Sequence, residues 1–151
     1  MSSFALPTIF ADWFAARGWQ PRDHQMDLWA ATSARQRALL VAPTGGGKTL
    51  AGFLPSLIDI TAQKFAHADM HGKRSGQHKT GLHTIYVSPL KALAVDIQRN
   101  LMTPVEQMGL NIRIETRTGD TPANRKQRQK TDPPEILLTT PEQIALMVSW
   151  P

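Results

Sequence analysis

The chain has 151 residues, 41% hydrophobic and 19% charged, which suffices for one domain with a core. Cysteine is absent, so disulfides, thiolate catalysis and cysteine zinc sites are excluded, while a net charge of +5 suits a polyanionic partner such as nucleic acid. No apolar run approaches the roughly 20 residues of a membrane span, and Met1 to Pro7 lacks the basic-then-apolar pattern of a secretory leader. A soluble cytoplasmic protein without a membrane partner is therefore expected.

In chain order, a first helix is expected with Thr8 as its cap, Ile9, Phe10, Trp13 and Phe14 on one face, and Gly18 at its end. A second is expected from Pro21, with Met26, Trp29 and Ala30 at helical spacing. Ala38 to Ala42 is a short apolar run between turn residues and reads as a fully buried strand. Helical periodicity resumes at Lys48 through Leu50, Phe53, Leu54, Leu57 and Ile58, with a bend expected at Pro55. The stretch 67–81 is polar and aperiodic, and a mobile loop is expected there. Leu82 to Val87 reads as a second buried strand, capped into the next helix by Ser88-Pro89, with Leu90, Leu93, Ala94, Ile97 and Leu101 on one side. Asn111 to Arg117 alternates, which predicts a half-exposed strand with Arg113, Glu115 and Arg117 outward. A short basic helix follows Thr121-Pro122. Glu135 to Thr139 is a further strand, and Thr140 to Gln143 has the form of a capping box. Repeated strand–helix units argue for an open, mostly parallel α/β sheet.

The strongest chemical signal is Ala42-Pro43-Thr44-Gly45-Gly46-Gly47-Lys48-Thr49, set between an expected strand and an expected helix. Its glycines permit backbone angles that turn successive N–H groups toward an anion. The new helix adds its unpaired N–H groups and positive dipole end. Thr44, Gly45, Gly46, Gly47 and Leu50 are thus expected to line a phosphate cradle for ATP. Lys48 is expected to reach the β- and γ-phosphates, and the Thr49 hydroxyl to ligate Mg2+. A glycine-rich turn without a ligand is the bland alternative, and the Gly-Lys-Thr ending argues against it. Three further segments follow expected strands, and in open α/β sheets ligands gather beyond strand carboxyl ends. Pro89, Leu90 and Lys91, then Arg117, Thr118, Gly119 and Asp120, then Thr139, Thr140 and Pro141, are expected to form one rim that follows a nucleic-acid backbone. For Lys91 and Arg117, simple solvated surface charge is an equal alternative. The five histidines show no metal-ligand spacing. The tryptophans and Met26 belong to the core, apart from Trp19.

Several strings, in this order, resemble superfamily-two helicases of the DEAD/DEAH-box type. Residues 42–49 resemble motif I and Ser88 to Ala94 motif Ia. Thr118 to Thr121 and Thr139 to Glu142 resemble later nucleic-acid-contacting motifs. Gly18 to Arg22, Leu90 to Ile97 and Arg117 to Thr121 are similar to the Lhr-like group, especially its ligase-associated DNA-damage-response DEXH-box branch. The resemblance spans roughly Trp13 to Val148. It implies a RecA-like P-loop NTPase domain, with N-terminal helices over 1–37 and a P-loop core over 38–151. It also implies an adenine-reading glutamine, placed at Gln25, with Arg22 as a weaker candidate beside it; Trp19 adjoins that pocket. By this resemblance the function is ATP-dependent translocation on DNA in repair, in the bacterial cytoplasm or nucleoid, with a DNA ligase and a nuclease in the same pathway. RNA is not excluded as the polymer.

The family's Asp-Glu-x-His motif, which holds Mg2+ and activates water, has no counterpart, since no Asp-Glu pair occurs in the chain. The expectation is thus an incomplete first RecA-like domain, ending before that motif, that binds ATP weakly and does not turn it over at a useful rate. The rival readings are a non-catalytic nucleotide- or nucleic-acid-binding module and a small-molecule P-loop kinase. The second is disfavoured because the Ser88 and Thr139 segments suit no acceptor pocket.

Overall fold

The computed structural model describes residues 5–71 and 81–149, without the side chains of 69–71. Its elements are α1 (Thr8–Ala15), α2 (Asp23–Ser33), α3 (Lys48–His71), β1 (Thr84–Val87), α4 (Lys91–Gln107), β2 (Ile114–Arg117), α5 (Ala123–Thr131), β3 (Ile136–Thr139) and α6 (Pro141–Val148). The three strands pair in parallel in the order β1-β3-β2, with Val87, Thr139 and Arg117 in register at their carboxyl ends. This is the α/β architecture expected from the alternating pattern, and the three strand ends open on one rim.

β3 is central and every residue in it is buried, as a strand covered on both faces must be. α3 covers the face carrying Thr84 and Tyr86: Thr84 donates to the Ser56 hydroxyl at 2.8 Å, and the Phe53 and Tyr86 rings lie 5.5 Å apart. α4 reaches β2, where the Gln98 amide donates to the Ile114 carbonyl at 2.8 Å. Phe10, Trp13 and Phe14 of α1 join Leu54, Leu57, Ile97, Leu101, Ile136 and Leu138 in one core.

Several expectations are corrected. Ala38 to Ala42 is neither paired nor buried: Leu39 is 90% and Val41 84% exposed. A strand is defined by its ladder, and no described strand lies beside this run, so apolar composition alone did not make one. β1 is an edge strand, with Ile85 and Val87 about half exposed rather than buried. α1 is capped by Pro7 rather than Thr8, and α2 begins at Asp23, because Gln25 reaches back to the Arg22 N–H. α4 begins only at Lys91, while Ser88 Oγ accepts from the Leu90 N–H at 3.3 Å and closes the turn before it. Thr140 precedes α6 but makes no side-chain cap, so the capping box there is not formed. α3 is unbroken through Pro55 and runs to His71, since Phe65, Ala66 and Ala68 sustain helix where a loop was expected from 67. The rest of that stretch, 72–80, lies outside the described residues.

At the amino ends of the strands a charge cluster pins the sheet. Glu135 is 1% exposed, accepts from the Arg113 N–H at 2.8 Å and pairs with Lys64 of α3 at 2.9 Å. Arg113 in turn forms a two-pronged pair with Asp132 at 3.0 Å, the geometry that suits a guanidinium best.

Candidate functional site

The P-loop turn is shaped by its glycines. Gly45 and Gly47 have φ of +78° and +73°, the left-handed region that L side chains avoid. Gly46 donates its N–H to the Pro43 carbonyl at 3.0 Å, and a Cβ on it would lie 2.8 Å from that oxygen. The turn delivers the chain into α3, whose first residues are Lys48 and Thr49. The Lys48 ammonium donates to the Ala42 and Pro43 carbonyls at 2.6 and 2.8 Å, folding over the loop it serves. Thr49 and Leu50 are half-buried at the start of α3.

Beside this turn lies a cavity of about 770 Å3, lined among others by Trp19, Arg22, Gln25, Gly47, Thr49 and Gln107. Gln25, expected only from resemblance, is 3% exposed at its wall. Its Oε1 accepts from the Arg22 N–H at 2.9 Å and its Nε2 approaches the Gly47 carbonyl at 3.4 Å. It therefore ties the start of α2 to the P-loop while keeping one lone pair and one N–H for a ligand. Trp19 is 56% exposed and meets Trp13 edge-on at 5.9 Å, so one of its faces is open.

The far wall was not anticipated. Asn100, Thr103 and Gln107 of α4 line it. Gln107 Oε1 accepts from Trp13 Nε1 at 3.1 Å and also from the Arg17 guanidinium, which lies 4.3 Å over the Trp13 ring. The signal in the sequence is a polar stripe at spacings of three and four on an otherwise amphipathic helix.

On the rim, backbone and side-chain bonds join the three strand-end segments. The Ser88 N–H donates to the Thr139 carbonyl at 2.9 Å, and the Thr139 hydroxyl to the Arg117 carbonyl at 2.7 Å. Lys91 pairs with Asp120 at 2.8 Å, and that hydrogen bond, followed by the Asp120 charge, raises its pKa. Thr121 Oγ1 accepts from the Thr118 N–H at 2.9 Å and shapes the Thr118-Gly119-Asp120 turn. Pro89, Leu90, Lys91, Gly119, Asp120 and Pro141 are exposed, whereas Thr139 and Thr140 are fully buried. Arg117, expected to face outward, is 7% exposed: its guanidinium turns under α5 and donates to the Lys126 carbonyl at 2.9 Å. Burial lowers its pKa. A bulge-free alternation would expose this side chain, but α5 packs over that end of β2 and encloses it.

A family model described as DEAD/DEAH box helicase matches residues 22–150. The chain is 37% identical to the Lhr helicase/uracil glycosylase of Escherichia coli (strain K12), over 97% of this chain and 10% of that protein. It is 38% identical to the Lhr helicase/probable uracil glycosylase of Mycolicibacterium smegmatis, over 91% of this chain and 9% of that one. The structure of Mycobacterium smegmatis helicase Lhr bound to ssDNA and AMP-PNP aligns over 95% of this chain and 18% of that chain, with 36% identity and a TM-score of 0.75. That of the DUF1998 helicase MrfA bound to DNA and AMPPNP aligns with 26% identity and a TM-score of 0.72, over 93% of this chain and 17% of that chain. The chain thus spans about a tenth of the length of the curated relatives it matches. A glycine turn beside a cavity, a rim of parallel strand ends and a match over most of the chain agree: the chain belongs to the DEAD/DEAH box helicase family and is Lhr-like in sequence.

Proposed function

We propose that this chain is the N-terminal, ATP-binding part of the first RecA-like domain of an ATP-dependent DNA helicase. The observation that carries the reading is the placement of Gln25. It is a buried amide joining the wall of the cavity to Gly47 of the P-loop, so the cavity and the phosphate turn meet in one recess. In this reading the backbone of Thr44 to Leu50 cradles the phosphates, and Lys48 leaves the Ala42 and Pro43 carbonyls to neutralise them. The Thr49 hydroxyl would hold Mg2+ together with the nucleotide, and the metal would supply Lewis-acid chemistry at the terminal phosphate. The spare hydrogen-bonding capacity of Gln25 reads the adenine edge, with Arg22 at the mouth.

The rim then holds a DNA backbone through exposed Lys91, the Thr118-Gly119-Asp120 turn and the helix start at Pro141. Arg117 shapes that turn from beneath. Support comes from relatives solved with ssDNA or DNA and a nucleotide analogue. A cytoplasmic repair role alongside a ligase and a nuclease extends the same reading. Among the described residues, no helix is long and apolar enough to cross a membrane.

A second reading, a binding module without turnover, is favoured by the absence of an Asp-Glu pair from the sequence. Phosphate release with and without single-stranded DNA separates the two. The motor reading of this chain alone requires DNA-stimulated release that disappears in Lys48→Ala. ATP binding without release assigns the chain the binding role alone.

A further inference from the structure

We infer that α5 is a nucleic-acid surface that carries the phosphate path off the strand-end rim; this rests on the rim reading above. The helix, Ala-Asn-Arg-Lys-Gln-Arg-Gln-Lys-Thr, contains four cations, no carboxylate and no large apolar side chain. A surface helix ordinarily docks through an apolar stripe. α5 docks by hydrogen bonds instead. Buried Gln129 donates to Glu115 Oε2 at 2.9 Å and to the Thr116 carbonyl at 3.2 Å, and Arg117 donates from below to the Lys126 carbonyl. With no apolar face to hide, the sequence of this helix is explained by what it presents.

The structure also sorts the basic residues that crowd this part of the sequence. Arg113 is held by Asp132 and Glu135, Arg117 is buried, and Arg128 pairs with Glu115 at 2.7 Å. Arg125 and Lys130 are exposed at opposite ends of α5, and Lys126 is half-buried between them. The Lys126 ammonium donates to the Gly119 carbonyl at 3.1 Å, so the helix surface abuts the rim turn directly. Helical spacing sets Lys126 and Lys130 along one edge and Arg125 and Arg128 along the other, with Gln129 between them facing the sheet. A polyanion leaving the Thr118-Gly119-Asp120 turn meets positive charge for the length of α5. Such a surface recognises phosphates without reading bases.

The test measures binding of a labelled single-stranded oligonucleotide and of a tailed duplex across a range of salt. The Arg125→Gln/Lys130→Gln variant is compared with Arg35→Gln/Arg37→Gln, which removes equal charge upstream of the P-loop. The α5 pair is expected to weaken DNA binding several-fold and to flatten the plot of log affinity against log salt by about two, one for each phosphate no longer neutralised. The upstream pair should leave the slope in place, and ATP affinity should be unchanged in both. Equal flattening by both pairs would reduce the effect to net charge and overturn the inference, as would no change in either. Parent protein that shows no salt-dependent DNA binding at all would instead bring down the rim reading and this inference with it.

Discussion

The Lys91 ammonium lies 2.8 Å from the Asp120 carboxylate and so joins the first turn of α4 to the turn that follows β2. Both groups are well exposed, which limits what the pair contributes to stability. Its position matters more, because the cation that would meet a phosphate is already neutralised. Asp120→Asn is therefore expected to raise affinity for single-stranded DNA a few-fold at low salt, an advantage that shrinks as salt rises. Weaker binding by this variant would show that Asp120 itself contacts the nucleic acid.

At Gly46 the constraint is steric. An alanine Cβ would sit 2.8 Å from the Pro43 oxygen, and the atom in the way is backbone. Gly46→Ala should open the turn, lower stability by about 1–3 kcal/mol and weaken ATP binding at least tenfold. Thermal unfolding and titration with a fluorescent ATP analogue read the two effects separately.

Gln25→Ala removes the bond to the Arg22 N–H and the approach to Gly47. A loss of about 1 kcal/mol of stability is expected, together with reduced preference for ATP over GTP. Competition binding with the two nucleotides measures this. An unchanged preference would leave Gln25 a structural tie and no more.

The Glu135 cluster predicts acid sensitivity. Burial pushes the Glu135 carboxyl up, but hydrogen bonds from Lys64 and the Arg113 N–H, with the Lys64 charge, outweigh it and hold the pKa below the ordinary value. A carboxylate depressed in the folded state contributes stability that is present above its unfolded pKa and lost as pH falls through the folded one. Denaturant midpoints should therefore drop below about pH 4.5, and less so in Glu135→Gln. Glu135→Ala takes the carboxylate away from Lys64 and from the Arg113 N–H and should cost roughly 3 kcal/mol at neutral pH.

Much of the local chemistry that depends on spacing was legible, although the cap at Thr140 and the starts of α2 and α4 were not. The glycine turn, the helix from Lys48 and the three paired strands follow from periodicity and punctuation that neighbours in space do not override. The larger exceptions are tertiary. Leu39 and Val41 look like a core strand because they are apolar and bounded by turns, yet burial needs a paired neighbour. Arg117 alternates outward in β2, but the next helix folds its guanidinium under cover through Gln129, twelve residues further on. Gln107 carried no motif; its importance arises because α1 and α4, 94 residues apart at Trp13 and Gln107, share one hydrogen bond.

That bond gives α4 a mechanical character. The helix has 17 residues and so is about 25 Å long, with Lys91 at one end and Gln107 at the other. One tip stands among the strand ends and the other in the wall of the recess beside the P-loop. A rod pinned at both tips cannot pivot at one without displacing the other.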